Sequence, residues 1–176
     1  MKIIQTKFKN LKIFDKQTYK DNRGFFRELF LQKNLNKKLI FDVMSLSKKH
    51  VIRGLHLQTR KPQAKLITVL RGKIFDVCLD CRKNSKTFGK HFKIVLSENK
   101  NQSLFIPEGF AHGFCTLSEK TIVHYKCSRY RDKNSEVGIL WNDKDLRINW
   151  PIKKATISKK DKKNFTFKEF KQKFVY

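Results

Sequence analysis

The chain has 176 residues, and 41 Lys and Arg set against 15 Asp and Glu leave a net charge of +26. A hydrophobic content of 39%, with 12% aromatic residues, excludes an intrinsically disordered chain and predicts one folded domain over residues 1–176. The longest stretch free of Lys, Arg, Asp and Glu runs only from Gly109 to Ser118, short of the roughly 20 apolar residues a membrane-crossing helix needs.

The N-terminal MKIIQTKFKNLK is broken by lysines and lacks the apolar region of a secretory signal, so a cytoplasmic location without membrane attachment is expected. A short helix is predicted over residues 30–39. Beyond it, short alternating or β-branched runs recur at residues 65–70, 73–80, 91–96, 103–106, 113–117 and 121–126. Turn signals separate them at Arg71-Gly72, residues 99–101, residues 107–109 and Ser118-Glu119. Many short strands at this spacing predict an all-β sandwich or barrel. At the C-terminus, Ser158 with Asp161 makes a capping-box start before Phe167, Phe170 and Phe174, which predicts a helical appendage over residues 158–176.

Lysines far outnumber arginines and are scattered along the whole chain. That reads as a solvated surface and argues against a dedicated nucleic-acid patch, although the field favours an anionic small molecule. Cys78 and Cys81 form a CxxC, followed by Cys115 and Cys127. Zinc sites pair two close doublets, which this spacing does not supply. IFDVCLDC reads as a strand, with its two thiols on opposite faces, so four reduced structural cysteines are expected.

The seven glycines form neither GxGxxG nor a P-loop, and nothing matches GxSxG or HExxH. Two histidines stand out among small and apolar neighbours: His56 in VIRGLHLQ and His112 in IPEGFAHGF. Imidazole exchanges protons near neutral pH, which suits a general base, while a hydrogen-bonded core histidine is the plainer alternative. PEGFAH carries the PxGxxH spacing of the second cupin motif, which places a His in a barrel mouth. The metal-binding form also needs an HxH pair, and Leu57-Gln58 follows His56 instead. The expectation is chemistry with no metal and no cofactor, leaving His56 free as a base.

Longer segments carry a resemblance over nearly the whole chain. DNRGFFRELF from Asp21, VIRGLHLQ from Val51, QAKLITVLRGKIFDVCLDCRKNSKTFG from Gln63, LSENKNQSLFIPEGFAHGFCTLSE from Leu96 and ILWNDKDLRINWP from Ile139 resemble the dTDP-4-dehydrorhamnose 3,5-epimerases. The resemblance implies a cupin-type jelly roll with short helices at the N-terminal side and C-terminus. It implies His56 as base, Asp161 as the carboxylate holding it, Tyr125 as the acid on the opposite face and Lys65 as the stabiliser of the enolate. Arg23, Glu28, Arg53, His112, Glu136 and Lys160 are the implied substrate contacts. The implied substrate is a dTDP-linked 4-keto-6-deoxy sugar, and the implied assembly is a homodimer with exchanged N-terminal strands.

This chain departs from the family where it reads Phe41-Asp42-Val43-Met44 in place of Gln-Asp-Asn and the residue after it, and where Arg131 stands in place of a second Tyr. Those positions leave open a 3- or 5-monoepimerase, or a GDP- or CDP-linked substrate. The residues alone also leave open a non-catalytic sugar-nucleotide or nucleic-acid binding module. An opposed acid and base argue for the enzyme, because binding needs neither.

Overall fold

The computed structural model describes residues 1–174; the last two residues of the expected C-terminal appendage lie outside the described residues. The N-terminal stretch, assigned no strand by pattern, forms β1 (Lys2–Gln5), β2 (Lys12–Asp15) and the hairpin β3 (Thr18–Asp21) with β4 (Gly24–Arg27). The central strands are β5 (Phe41–Lys48), β6 (Ile52–Gln58), β7 (Lys65–Arg71), β8 (Lys73–Asp80) and β9 (His91–Ser97). Then follow β10 (Gln102–Ile106), β11 (Phe110–Thr116), β12 (Lys120–Cys127) and β13 (Glu136–Gly138).

Two sheets face each other, one ordered β1-β2-β10-β7-β12-β5 and the other β13-β6-β11-β8-β9, with β3-β4 forming a separate ribbon. Neighbouring strands are antiparallel and mostly not consecutive in the chain, the arrangement of a cupin-type jelly roll. Ile67, Val69, Ile74, Leu96, Leu104, Ile106, Phe114 and Val123 fill the space between the sheets. Their alternation with outward residues follows from the period of two along a strand.

Each sheet also buries part of its outer face. Residues 30–39 lie over the first sheet, where Leu35 and Leu39 pack with Phe14, Leu66 and Phe105. The helix expected there is only a three-residue 3-10 turn, Gln32–Asn34. The asparagines and lysines of this stretch favour extended cover, and tertiary packing of the two leucines overrides the weak helical period. Over the second sheet, Trp150, Phe167 and Phe170 pack against Leu55, Leu79, Ala111 and Ile139.

The helix expected from Ser158 is also shorter. Ser158 Oγ accepts from the Asp161 N–H at 3.0 Å, but only a 3-10 turn, Asp161–Lys163, follows. The α-helix, α1, spans Phe167–Phe174. Its reciprocal cap is made by Thr166 and Glu169, with Glu169 N–H donating to Thr166 Oγ1 and Thr166 N–H donating to Glu169 Oε2. Cys78 sits between the sheets and Cys81 in the outer layer, so the two thiols do face opposite ways, and all four cysteines are free. No described helix is long and apolar enough to cross a membrane.

Candidate active site

The site begins at a close crossing of β6 and β11. Gly54 has φ +120°, and a Cβ there would lie 2.5 Å from Gly113 Cα and 2.6 Å from the His112 carbonyl oxygen. Only glycine fits both the conformation and the contact. The crossing coincides with a bulge between His112 and Phe114, and it leaves His112 paired in register with His56, so the two imidazoles share one face.

His56 Nε2 lies 2.7 Å from Asp161 Oδ1, and the Gly54 N–H donates to Asp161 Oδ2 at 3.3 Å. An ionised carboxylate only accepts, so Nε2 carries a proton, and in the neutral ring the lone pair lies on Nδ1. Burial alone would raise the Asp161 pKa, but the hydrogen bonds from His56, Gly54 and Ser158 outweigh it and hold the carboxyl below its usual value.

A second imidazole–carboxylate pair lies beside the first. His112 Nε2 is 2.8 Å from Asp76 Oδ2, and Asp76 is fully buried. Asp76 was not singled out by sequence reasoning; an acid inside the apolar run IFDV was its one local signal, since an acid is rarely fully buried unless paired. The Tyr125 ring packs edge-on to His112 with centroids 6.4 Å apart, and its hydroxyl is 3.2 Å from Ser45 Oγ. Burial pushes the Tyr125 phenol well above its ordinary value, despite the opposing hydrogen bond from Ser45 and the field of Arg53. Tyr125 therefore stays protonated at neutral pH. His124 points the other way, to Asp42 at 3.0 Å.

Lys65 opens β7, opposite Cys127 on β12 and Ile106 on β10. Burial lowers its pKa, partly offset by the fields of Cys127, Glu136, Cys78 and Asp76. Arg53 Nε donates to Ser47 Oγ at 2.9 Å. Glu136, two residues from Gly138, which pairs with His56, accepts from Lys160 and from Nε and Nη2 along one edge of the Arg131 guanidinium. Burial opposes the ionised carboxylate, yet these bonds bring Glu136 down to about 2.

Arg23 and Glu28 are not brought to this cluster within one chain. They lie on or beside the β3–β4 ribbon, where Arg23 pairs with Asp21 and is 85% exposed. Phe41, one of the departures, stacks edge-on with Tyr130 at 5.5 Å, and Val43 pairs opposite Tyr125. Among the described residues, no three His, Cys, Asp or Glu side chains converge as metal ligands would.

A jelly roll whose inner face carries two imidazole–carboxylate pairs beside a protonated buried phenol is built for moving protons at carbon or oxygen. The model of the dTDP-4-dehydrorhamnose 3,5-epimerase family matches residues 5–169. The chain is 43% identical to the dTDP-4-dehydrorhamnose 3,5-epimerase of Shigella flexneri, over 92% of this chain and 93% of that one. It is 41% identical to that of Methanothermobacter thermautotrophicus, covering 92% and 91%. The crystal structure of the Bacillus anthracis enzyme, with TDP and PPi bound, superposes with a TM-score of 0.91 at 40% identity, covering 94% of this chain and 98% of that one. A Legionella pneumophila epimerase in complex with dTDP-4-keto-L-rhamnose gives a TM-score of 0.90 at 39% identity, covering 94% and 92%. This chain belongs to the dTDP-4-dehydrorhamnose 3,5-epimerase family.

Proposed function

We propose that the chain inverts C3 and C5 of dTDP-4-keto-6-deoxyglucose to give dTDP-4-keto-rhamnose. A 4-keto sugar has acidic C–H bonds at both carbons, because either carbanion delocalises onto the C4 oxygen. His56 Nδ1 takes the proton, and the electron pair moves to the C4 oxygen as an enolate. The Lys65 ammonium stabilises that charge where it grows. Tyr125 delivers a proton to the opposite face of the same carbon as the carbonyl re-forms, and exchange with solvent restores both groups.

The observation that carries this reading is the 2.7 Å contact between His56 Nε2 and Asp161 Oδ1, which leaves Nδ1 basic in a site that also holds a protonated Tyr125. Arg53, His112, Glu136 and Lys160 fit as substrate contacts beside this pair. Incubation of dTDP-4-keto-6-deoxyglucose with the protein in deuterated buffer tests it by NMR. Label at both C3 and C5 is expected; label at one carbon would make the protein a monoepimerase, and label at neither would remove the reading.

Arg23 and Glu28 fit as contacts supplied by a second copy of the chain. The ribbon that carries them exposes Tyr19, Phe25 and Phe26, at 52%, 64% and 68%, and Met44 and Leu46 are also exposed, on β5. Apolar surface of this kind supports a homodimer. Sedimentation at micromolar concentration should show twice the chain mass. Four free thiols fit a reducing, cytoplasmic setting.

A further inference from the structure

Arg131 changes the charge balance at the rim of the site. Its guanidinium forks onto Glu136, with Nε 2.7 Å from Oε2 and Nη2 3.0 Å from Oε1, and Lys160 Nζ donates to the same Oε1. Two cations thus share one carboxylate. With a neutral side chain at position 131, Glu136 and Lys160 would cancel; with arginine there, one positive charge is in surplus. The Glu136 side chain is only 12% exposed, against 51% for Arg131 and 57% for Lys160, so the surplus faces solvent and the carboxylate does not.

The donors are also available. Glu136 occupies Nε and one hydrogen of Nη2, which leaves the Nη1 edge of a planar fork that matches phosphate oxygens. Lys160 commits one of its three ammonium hydrogens to Glu136. Arg131 also lines a cleft of about 710 Å³ together with Lys37, Lys38, Lys61 and Arg129, with Asp132 as the one acidic residue of that lining among the described residues.

We propose that Arg131 is a substrate-binding residue that converts the Glu136–Lys160 pair into an anion-receiving rim for a phosphate group of the nucleotide-linked substrate. This rests on the epimerase reading above. It assigns Arg131 to recognition and not to proton transfer, because its hydrogen bonds reach Glu136 and neither His56 nor Tyr125.

The test compares the full-length wild type with R131Q and R131K. Equilibrium binding of dTDP and steady-state kinetics with dTDP-4-keto-6-deoxyglucose are measured over a salt series. R131Q should raise KM and the Kd for dTDP about tenfold, the loss expected for one charge-assisted hydrogen bond, with kcat changed less than about twofold. Its dTDP affinity should also fall less steeply with salt. R131K, which keeps the charge but not the fork, should retain the wild-type salt dependence while losing part of the dTDP affinity, and that loss reads out the fork by itself if R131Q folds poorly. Unchanged KM and dTDP affinity in R131Q would overturn the inference. So would a fall in kcat at constant KM, since Arg131 would then act by holding Lys160 and Asp161 in place. A wild type that exchanges no label sinks the epimerase reading itself, whereas an active wild type beside an R131Q variant of unchanged KM sinks this inference alone.

Discussion

Asp161 Oδ1 stands 2.7 Å from His56 Nε2 across 105 positions of chain. The contact exists because the C-terminal segment packs Trp150, Phe167 and Phe170 onto the outer face of the sheet that contains β6. Packing energy in one layer thereby orients an imidazole in another. Asp161→Asn should keep the fold while presenting a neutral partner to the ring. Exchange of deuterium at C3 and C5 should slow about a hundredfold or more, with His56→Asn slower still. NMR wash-in rates at fixed substrate check both variants; a near-normal rate in His56→Asn would remove it as the base.

Tyr125→Phe should separate proton removal from inversion. On the proposed mechanism His56 still removes a proton and returns a solvent-derived one to the same face, so label should enter without inversion. The ratio of epimer formed to deuterium incorporated should fall at least tenfold, a modest share of what a positioned general acid supplies. Equal losses of both would show that Tyr125 does not act as the acid.

Acid stability should report Glu136. Its pKa falls from an ordinary 4.5 to about 2 in the folded chain, so the unfolded chain binds the proton first as pH drops. The stabilisation is fully present above the ordinary value and is lost as pH falls through the folded one. Thermal denaturation between those limits should show a falling melting temperature, and Glu136→Gln should flatten that part of the profile. Asp161, also held low, contributes in the same direction.

Gly54→Ala should destabilise the chain strongly. The added methyl would meet backbone atoms of His112 and Gly113 at 2.6 and 2.5 Å in a conformation with φ +120°. Left-handed strain and overpacking together suggest about 3 kcal/mol. Urea unfolding measures this, and because the crossing sets the register of His56 and His112, exchange activity should fall with stability. A variant as stable as wild type would mean that the crossing can open at little cost.

Legibility varied with how each strand is covered. β8 spans the same residues as the run read from its pattern, and β7, β9 and β10 differ by one residue at one end. β11 starts at Phe110, three residues before the alternation suggested, because every one of its residues is buried and the period of two disappears. β5 went unassigned for a different reason: its exposed face carries Met44 and Leu46 while its more covered face carries Ser45 and Ser47, so apolar and polar residues do not alternate. β6 is buried at most positions and its alternation is interrupted at Gly54.

What the sequence by itself determined was local or cumulative: the strand-rich fold class, the opposite facing of Tyr125 and His124, and the family to which the chain belongs. Periodicity and turn chemistry act over a few residues, and a family likeness accumulates over many. The tertiary structure alone decided that Asp76 backs His112, that Arg131 and Lys160 share Glu136, and that Arg23 and Glu28 stand apart on the β3–β4 ribbon. Each of those pairings depends on how two sheets and their covering segments close in space, a balance of burial and hydrogen bonding that no short stretch of residues contains.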